Sequence, residues 1–245
     1  MKRTLFAFAC IMVVALAWWQ RHLIYPMVET APVIYPTVGI DVSHHQGPID
    51  WQEVASSDVQ FVFMKATEGR DFKDTRFTQN WREARAVGLA VGAYHFFSPC
   101  RSGAEQAAHF INTVPKESGN AFPHAVDAEQ LGPCTYGTLV EDLAGEIDIF
   151  LNMVGKHYGV RPVIYTDSTF HKAELDGKLS GETFWLRSLV VKPSYRGDDW
   201  VIWQYHNRGK RPGISGPVDL NVMKIKTAEL TAKQRRLNSG SQNAD

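Results

Sequence analysis

The sequence has little of several features that would place it in a special class of protein. Its 26 basic and 26 acidic residues leave no net charge, so no chain-wide field would attract nucleic acid or an anionic membrane surface. With only 19 glycines and 12 prolines, it is neither collagenous nor of low complexity. The three cysteines show no Cys-x-x-Cys spacing and no His-x-His pair is present, so a metal or redox site is not indicated. We expect no cofactor, no metal and no nucleic-acid partner.

Length and apolar content indicate a globular fold with a sizeable core. The 245 residues are close to the length of about 250 that is typical of α/β barrels, although two smaller domains would also fit. Hydrophobic residues make up 44 % of the chain. Seven Trp, eight Tyr and thirteen Phe would suit either core packing or a site that stacks against flat ligand faces.

The first 36 residues are predicted to lie outside the folded domain. Two basic residues precede an uncharged stretch over 4–20, which is the order of an export signal. An Ala-x-Ala pair that ends at Ala17 would allow cleavage, whereas Trp18 and Trp19 would suit an uncleaved helix anchored at a membrane interface. Both forms stay open, and membrane attachment would follow from the second. We expect an exported protein that is periplasmic, membrane-anchored or secreted.

Three further boundaries follow from composition. Residues 20–36 contain three prolines and no apolar period, which predicts a tether, and the domain is expected over 37–226. The polar, partly basic residues 227–245 are expected to form a solvated tail. In an oxidising compartment Cys100 and Cys134 could form a disulfide bond, with two unpaired buried thiols as the alternative.

Short apolar and β-branched runs predict eight buried strands, and helical periods separate the early ones. The last three strands are joined by segments without a good helical period, so we predict an α/β fold: an eight-stranded TIM-like barrel with incomplete outer helices. The strands are predicted at 38–42, 59–66, 90–97, 124–129, 162–166, 183–186, 200–205 and 218–221, and the helices at 74–87, 104–114 and 138–157.

Carboxylates cluster where these strands would end, the place at which barrel enzymes carry their chemistry. Asp127 and Glu129 are two residues apart, so both would point to one face at the mouth of the barrel. Asp41 ends the first strand and Asp219 lies in the last, and barrel closure makes these strands neighbours. Two carboxylates with pKa values pushed apart suit glycoside hydrolysis. The alternative is a structural pair neutralised by Lys65 or an arginine.

Aromatic and histidine side chains accompany the carboxylates at the predicted strand ends. Tyr94 and His95 end the third strand, Tyr165 ends the fifth, and Trp203 and Tyr205 lie on one face of the seventh. Rings around a carboxylate cluster suit the apolar faces of a sugar polymer. Each of these residues would serve equally well in the core.

These residues resemble glycoside hydrolase family 25, the Chalaropsis-type lysozymes, over roughly residues 39–223. The resemblance rests on an ordered series of motifs: Gly39-Ile-Asp-Val-Ser-His-His-Gln-Gly47, Ile49-Asp-Trp51, Phe63-Met-Lys-Ala-Thr-Glu-Gly69, Gly92-Ala-Tyr-His-Phe96, the Asp-x-Glu pair at 127 and 129, Pro162-Val-Ile-Tyr-Thr166, Trp203-Gln-Tyr205 and Val218-Asp-Leu-Asn221.

The resemblance implies cleavage between N-acetylmuramic acid and N-acetylglucosamine in peptidoglycan glycan strands. Glu129 would be the general acid and Asp127 would orient the substrate's N-acetyl group in a retaining, acetamido-assisted mechanism. Asp41 and Asp219 would shape the floor of the site, and Glu68 is expected to contact substrate with the aromatic residues. We expect a monomer.

The sequence departs from the family pattern in the sixth strand. It carries Arg187 and Ser188 after Trp185, where members usually have a small residue and an aromatic, and Gln130 follows the carboxylate pair where an acidic residue is common. This departure keeps a non-catalytic glycan-binding barrel as a second hypothesis.

A third hypothesis concerns the histidines near the strand ends. A metal-dependent amidase or deacetylase would be built on His44, His45 and His95. Adjacent residues of an extended chain point to opposite faces, so His44 and His45 could both be ligands only if the backbone turned there.

Overall fold

The computed structural model describes residues 31–116, 122–129 and 139–241. The predicted export segment, the first part of the tether and Cys134 lie outside these ranges. Within them, no helix combines the length and the apolar character needed to cross a membrane.

Nine strands in the described residues form one sheet. Eight of them close into a barrel, because the first strand pairs with both the second and the last, and the two-residue β3 is added at the edge of β2. This arrangement confirms the predicted eight-stranded barrel. The strands are β1 (Thr37–Val42), β2 (Val59–Glu68), β3 (Phe72–Lys73), β4 (Ala90–Phe96), β5 (Ala125–Asp127), β6 (Val163–Thr166), β7 (Phe184–Arg187), β8 (Ile202–Gly209) and β9 (Val218–Met223).

Strand direction distinguishes the two ends of the barrel. Seven of the eight barrel strands run parallel, whereas β9 is antiparallel to both β1 and β8. The last residues of the parallel strands therefore lie at the same end as the first residues of β9. We call this the carboxyl end of the barrel and the opposite one the amino end.

The outer helices are incomplete, as predicted. Three helices of ten residues or more follow β3, β4 and β5, whereas β6 is followed only by a short helix that continues as a π-helical turn at His171–Leu175. The helices are α1 (Ala31–Ile34), α2 (Trp51–Ala55), α3 (Phe77–Ala86), α4 (Gly103–Thr113), α5 (Leu143–Tyr158), α6 (Ser168–Phe170) and α7 (Thr227–Ser241).

Large aromatic side chains fill the inside of the barrel. Phe61 and Phe63 are fully buried there, and Phe63 stacks on Trp185 with ring centroids 4.7 Å apart. Gly39 on β1 leaves room for this packing, because a Cβ at that position would lie 2.4 Å from the Phe61 ring. The barrel therefore has a solid interior, and its free space is confined to one end.

Residues 31–36 pack on the barrel, which corrects the prediction of a tether that extends to Pro36. Ala31 is fully buried, and the Tyr35 ring meets Trp200 edge to face at 5.3 Å. Gln60 donates a hydrogen bond to the carbonyl of Pro36.

Residues 227–241 form α7, which corrects the prediction of a solvated tail for that part of 227–245. Leu230 is fully buried, and the Gln234 amide donates to the carbonyls of Arg161 and Pro162 at 2.9 and 3.0 Å. These carbonyls immediately precede β6, so α7 covers the amino end of the barrel.

Candidate active site

A cavity of about 280 Å³ opens at the carboxyl end of the barrel. All four predicted carboxylates reach it, together with two of the predicted aromatic residues. Its lining comprises Asp41, Ser43, His45, Lys65, Tyr94, Phe96, Asp127, Glu129, Tyr165, Trp185, Arg187, Gln204, Asn207 and Asp219.

Asp127 is the last residue of β5 and lies deep in this cavity. Its carboxyl is buried, and the structure gives Oδ1 no hydrogen-bond partner among the described residues. Burial raises the pKa of Asp127 well above its usual range, and the charges of Glu129 and Asp41 raise it further. An unpaired buried carboxyl oxygen is costly, so this atom is suited to bonding a group that the substrate brings.

Glu129 lies two residues further along and nearer to solvent, with 28 % of its side chain exposed. Burial raises the pKa of its carboxyl, while the Arg187 guanidinium, 3.7 Å away from Oε2, lowers it. A hydrogen bond with Tyr165 also acts to lower the pKa. The net shift is upward, as a general acid that must hold its proton requires.

Asp41 and Asp219 face each other across the antiparallel pairing of β1 with β9. Oδ2 of Asp41 accepts hydrogen bonds from Asn221 Nδ2 at 2.7 Å and from Gln204 Nε2 at 3.0 Å. Burial, followed by the charge of Asp41, raises the pKa of Asp219 to about 9. Asp219 is therefore protonated at neutral pH and shares a hydrogen bond with Asp41, so the four carboxyl groups do not all carry charge.

Two cationic side chains balance the cluster. Arg187 Nη1 lies 3.7 Å from Asp167 Oδ2 as well as from Glu129. Lys65 lines the cavity and its Nζ pairs at 2.6 Å with Glu68, which does not line the cavity. Glu68 is therefore placed to hold Lys65 in position, and its contact with substrate stays a prediction.

Four aromatic side chains, Tyr94, Phe96, Tyr165 and Trp185, form the apolar part of the cavity wall. Tyr94 and Tyr165 occupy the predicted position, and Tyr165 donates to Gln204 Oε1 at 3.0 Å. Sequence reasoning missed Trp185, whose Nε1 donates to Asn221 at 2.8 Å. The alternation of β7 could have indicated it, because Trp185 and Arg187 are two residues apart and must share a face.

His95 lies behind the sheet, away from the cavity, which corrects its predicted contact with substrate. Its ring is fully buried between hydrogen bonds to Thr67 Oγ1 at 2.7 Å and Gln106 Oε1 at 3.1 Å, and it stacks on Phe150. Burial lowers the pKa of His95 to about 3, so the ring is neutral.

Trp203 and Tyr205 also point away from the cavity. They share a face as predicted, but this is the outer face of β8, where both are buried and Trp203 donates to the carbonyl of Ser188 at 2.7 Å. Gln204 between them points into the barrel. The prediction that Trp203 and Tyr205 bind substrate is therefore corrected.

The histidines do not assemble a metal site. His44 Nδ1 bonds Asp74 at 2.7 Å, His45 lines the cavity, and His95 is on the far side of the sheet. Across the described ranges there is no group of three or more side chains that could hold a metal ion.

Cys100 is disulfide-bonded. Cys134, its predicted partner, lies outside the described residues, so that pairing stays a prediction.

The fold and the cavity together define a class of enzyme. A barrel with two carboxyl groups two residues apart at the end of a strand, raised pKa values and an aromatic wall is the arrangement of a glycoside hydrolase. Comparison with known families agrees: residues 40–214 match the model described as "Glycosyl hydrolases family 25". The chain belongs to glycosyl hydrolase family 25 and is a glycosidase.

Individual relatives extend this match over most of the chain. "Uncharacterized protein YegX" of Escherichia coli K12 is 38% identical over 207 residues, 82% of this chain and 74% of that protein. "Lysozyme M1" of Streptomyces globisporus is 33% identical over 205 residues, 79% and 70% of the two chains. The solved family 25 glycosyl hydrolase of Bacillus anthracis superposes with a TM-score of 0.71 at 35% identity, covering 82% of this chain and 94% of the other.

Proposed function

We propose that this glycosidase is an N-acetylmuramidase that cleaves the β-1,4 bond between N-acetylmuramic acid and N-acetylglucosamine in peptidoglycan. The observation that carries the proposal is the pair Asp127 and Glu129, buried to different depths in one cavity. Similarity to Lysozyme M1 supports this choice of substrate. We further propose that the protein is exported, since its substrate lies outside the cytoplasm, and that it acts as a monomer.

Glu129 is the general acid of the proposed mechanism. It transfers its proton to the glycosidic oxygen as the bond from that oxygen to C1 breaks, which releases the N-acetylglucosamine side as an alcohol. The ionised Glu129 then takes a proton from the water that attacks C1, and so regains its starting state.

Asp127 assists through the substrate's own acetamido group. The acetamido oxygen attacks C1 from the opposite face, and the resulting ring places positive charge beside the buried carboxyl of Asp127. The unpaired Oδ1 is the partner that we assign to the acetamido N–H. Water opens the ring from the face that the leaving group occupied, so the configuration at C1 is retained.

The first prediction tests this assignment by mass spectrometry of digested peptidoglycan after borohydride reduction. The wild type should produce reduced muramic acid ends, and Glu129→Gln should lower kcat by about 10²- to 10⁴-fold because the proton donor is lost. Glu229→Gln, the same change at an exposed site on α7, is the control and should keep full activity.

Two results would contradict the proposal. Full activity of Glu129→Gln would show that another group is the acid. Wild-type protein that pellets with the wall but leaves its strands intact would favour the glycan-binding barrel.

A further inference from the structure

The end of the barrel opposite the cavity carries a concentrated positive charge. Between residues 224 and 236 the sequence has five basic residues and one acidic residue, Glu229. α7 turns its buried side toward the strands. Arg236 on this helix and Lys226, just before it, are exposed, and Lys233 is half-buried. The whole chain has no net charge. The basic character of this surface therefore comes from an uneven distribution of charged residues along the chain.

Two pairs of consecutive aliphatic residues are also exposed. Val33 and Ile34 at the end of α1 are 82% and 62% exposed, and Val190 and Val191 in the segment after β7 are 49% and 44% exposed. Single exposed aliphatic residues are common in proteins, whereas contiguous exposed apolar side chains mark an interaction surface.

A connected group of side chains joins the two pairs to α7. Tyr35, which follows Ile34, contacts both Trp200 and Lys192, and Lys192 follows Val191. Lys224 lies 3.9 Å from the centre of the Trp200 ring, and three residues later α7 begins. Asp198 pairs with both Lys192 and Lys224.

The sequence before α1 indicates which partner this surface would bind. Residues 4–20 are uncharged and would pass into a bilayer in the anchored form, and only 21–30 separate them from α1. The exposed pair Val33 and Ile34 is thus close in the sequence to the segment that would enter the membrane. A bilayer interface rich in anionic lipid accepts aliphatic side chains and attracts lysine and arginine.

We propose that the basal surface, formed by Val33, Ile34 and the basic side chains of Lys226, Lys233 and Arg236, binds the surface of an anionic lipid bilayer. The carboxylates lie at the carboxyl end of the barrel and α7 covers the amino end, so this contact turns the cavity away from the membrane. The strand β1 alone, with six residues, spans about 20 Å between the two ends. Docking therefore directs the active site toward material outside the membrane.

The test uses the full chain reconstituted into vesicles and lysine labelling read by mass spectrometry. Vesicles of phosphatidylcholine are compared with vesicles that also contain phosphatidylglycerol, so the hydrophobic segment inserts in both and only the surface charge changes. On anionic vesicles Lys226 and Lys233 should be labelled about fivefold less, and added salt should reverse this protection. Lys73, exposed on β3 at the carboxyl end, should be labelled equally on both.

A matched pair of variants separates this surface from general charge effects. Replacing Lys226, Lys233 and Arg236 by Glu should remove the protection of the reporter Lys192, whose side chain is 47% exposed. The same charge change at three exposed lysines elsewhere, Lys73, Lys172 and Lys178, should leave that protection intact.

Equal labelling of Lys226 and Lys233 on the two kinds of vesicle would overturn the proposal. Protection that appears without lipid as the protein concentration rises would also overturn it, because a second copy of the chain would then cover the surface. Neither result bears on glycan cleavage, which is measured separately.

Discussion

Neighbouring residues on β4 have unrelated tasks. Tyr94 lines the cavity, whereas His95 is buried behind the sheet between Thr67 and Gln106. The two side chains must point to opposite faces because successive residues of a strand alternate. A strand end in this barrel therefore contributes one residue to the site and the next one to the packing against the helices.

The second prediction separates these tasks by two substitutions. His95→Ala removes a buried ring with two hydrogen bonds and should destabilise the protein by about 2–5 kcal/mol with little change in kcat. Tyr94→Phe should lower kcat/KM and leave the melting temperature almost unchanged, since only a hydroxyl at the cavity is lost. Thermal unfolding and initial rates measured on both proteins check this; a stable, inactive His95→Ala would contradict it.

Arg187 lines the cavity beside Glu129. The third prediction concerns its charge, which lowers the pKa of Glu129 from 3.7 Å away. In Arg187→Met the pKa of Glu129 should rise, and because the acid must be protonated, the alkaline limb of the pH profile of kcat should move to higher pH. Arg208→Met, an exposed change on β8, should leave the profile in place, and an unmoved limb in Arg187→Met would refute the role assigned to Arg187.

At the residue scale, the sequence could predict the carboxylates but not the orientation of every ring. Asp127 and Glu129 line the cavity, as their place at the end of a buried strand predicts. Trp203 and Tyr205 satisfy the same alternation on either face, and the choice is made by contacts such as that of Trp203 with Tyr35, which is far away in the sequence. Alternation fixes which residues share a face and leaves open which face that is.

Among the elements, the eight barrel strands were predictable and α7 was not. Each strand is a short apolar run, which is a strong local signal. The buried side of α7 consists of Leu230, Thr231, Gln234 and Asn238, so it is mostly polar and shows no hydrophobic period. The Gln234 side chain donates to the backbone carbonyls before β6 and accepts a hydrogen bond from Thr183. These contacts exist only in the folded barrel.

The fourth prediction measures how much α7 contributes to stability. Leu230→Ala should lower the free energy of unfolding by about 2–5 kcal/mol because the side chain is fully buried beneath the barrel. Arg236→Ala, an exposed change on the same helix, should alter it by less than about 0.5 kcal/mol. Urea unfolding gives both values; equal effects of the two substitutions would mean that α7 does not close the barrel in solution.

For the whole molecule, the carboxylate cluster makes stability depend on pH. The pKa of Asp219 is raised from 3.8 to about 9, so the folded state binds its proton more tightly than the unfolded state does. The contribution of this group is greatest below the unfolded pKa and is lost as the pH rises toward the folded one. The burial of Asp219 in the site therefore lowers the stability of the folded protein as the solution becomes mildly alkaline.

The fifth prediction follows from this sign. Asp219→Asn keeps a hydrogen-bond donor beside Asp41 and removes the titrating proton, so its stability should fall less than that of the wild type as the pH rises from 3.8 to about 9. Unfolding free energies measured across that range check it. Parallel curves for the two proteins would show that Asp219 is ionised in the folded state.

The antiparallel course of β9 also affects when the enzyme can first be active. Asp41, near the start of the fold, is held by Asn221, which comes 180 positions later in the chain. Asp219 arrives on the same strand, so the catalytic cluster forms only when the first and last barrel strands meet. During synthesis, a chain whose residues 218–223 have not yet emerged lacks Asp219, one of the two carboxyl groups of the floor. Glycan cleavage is thereby delayed until the whole barrel has emerged, a timing control that is built into the topology itself.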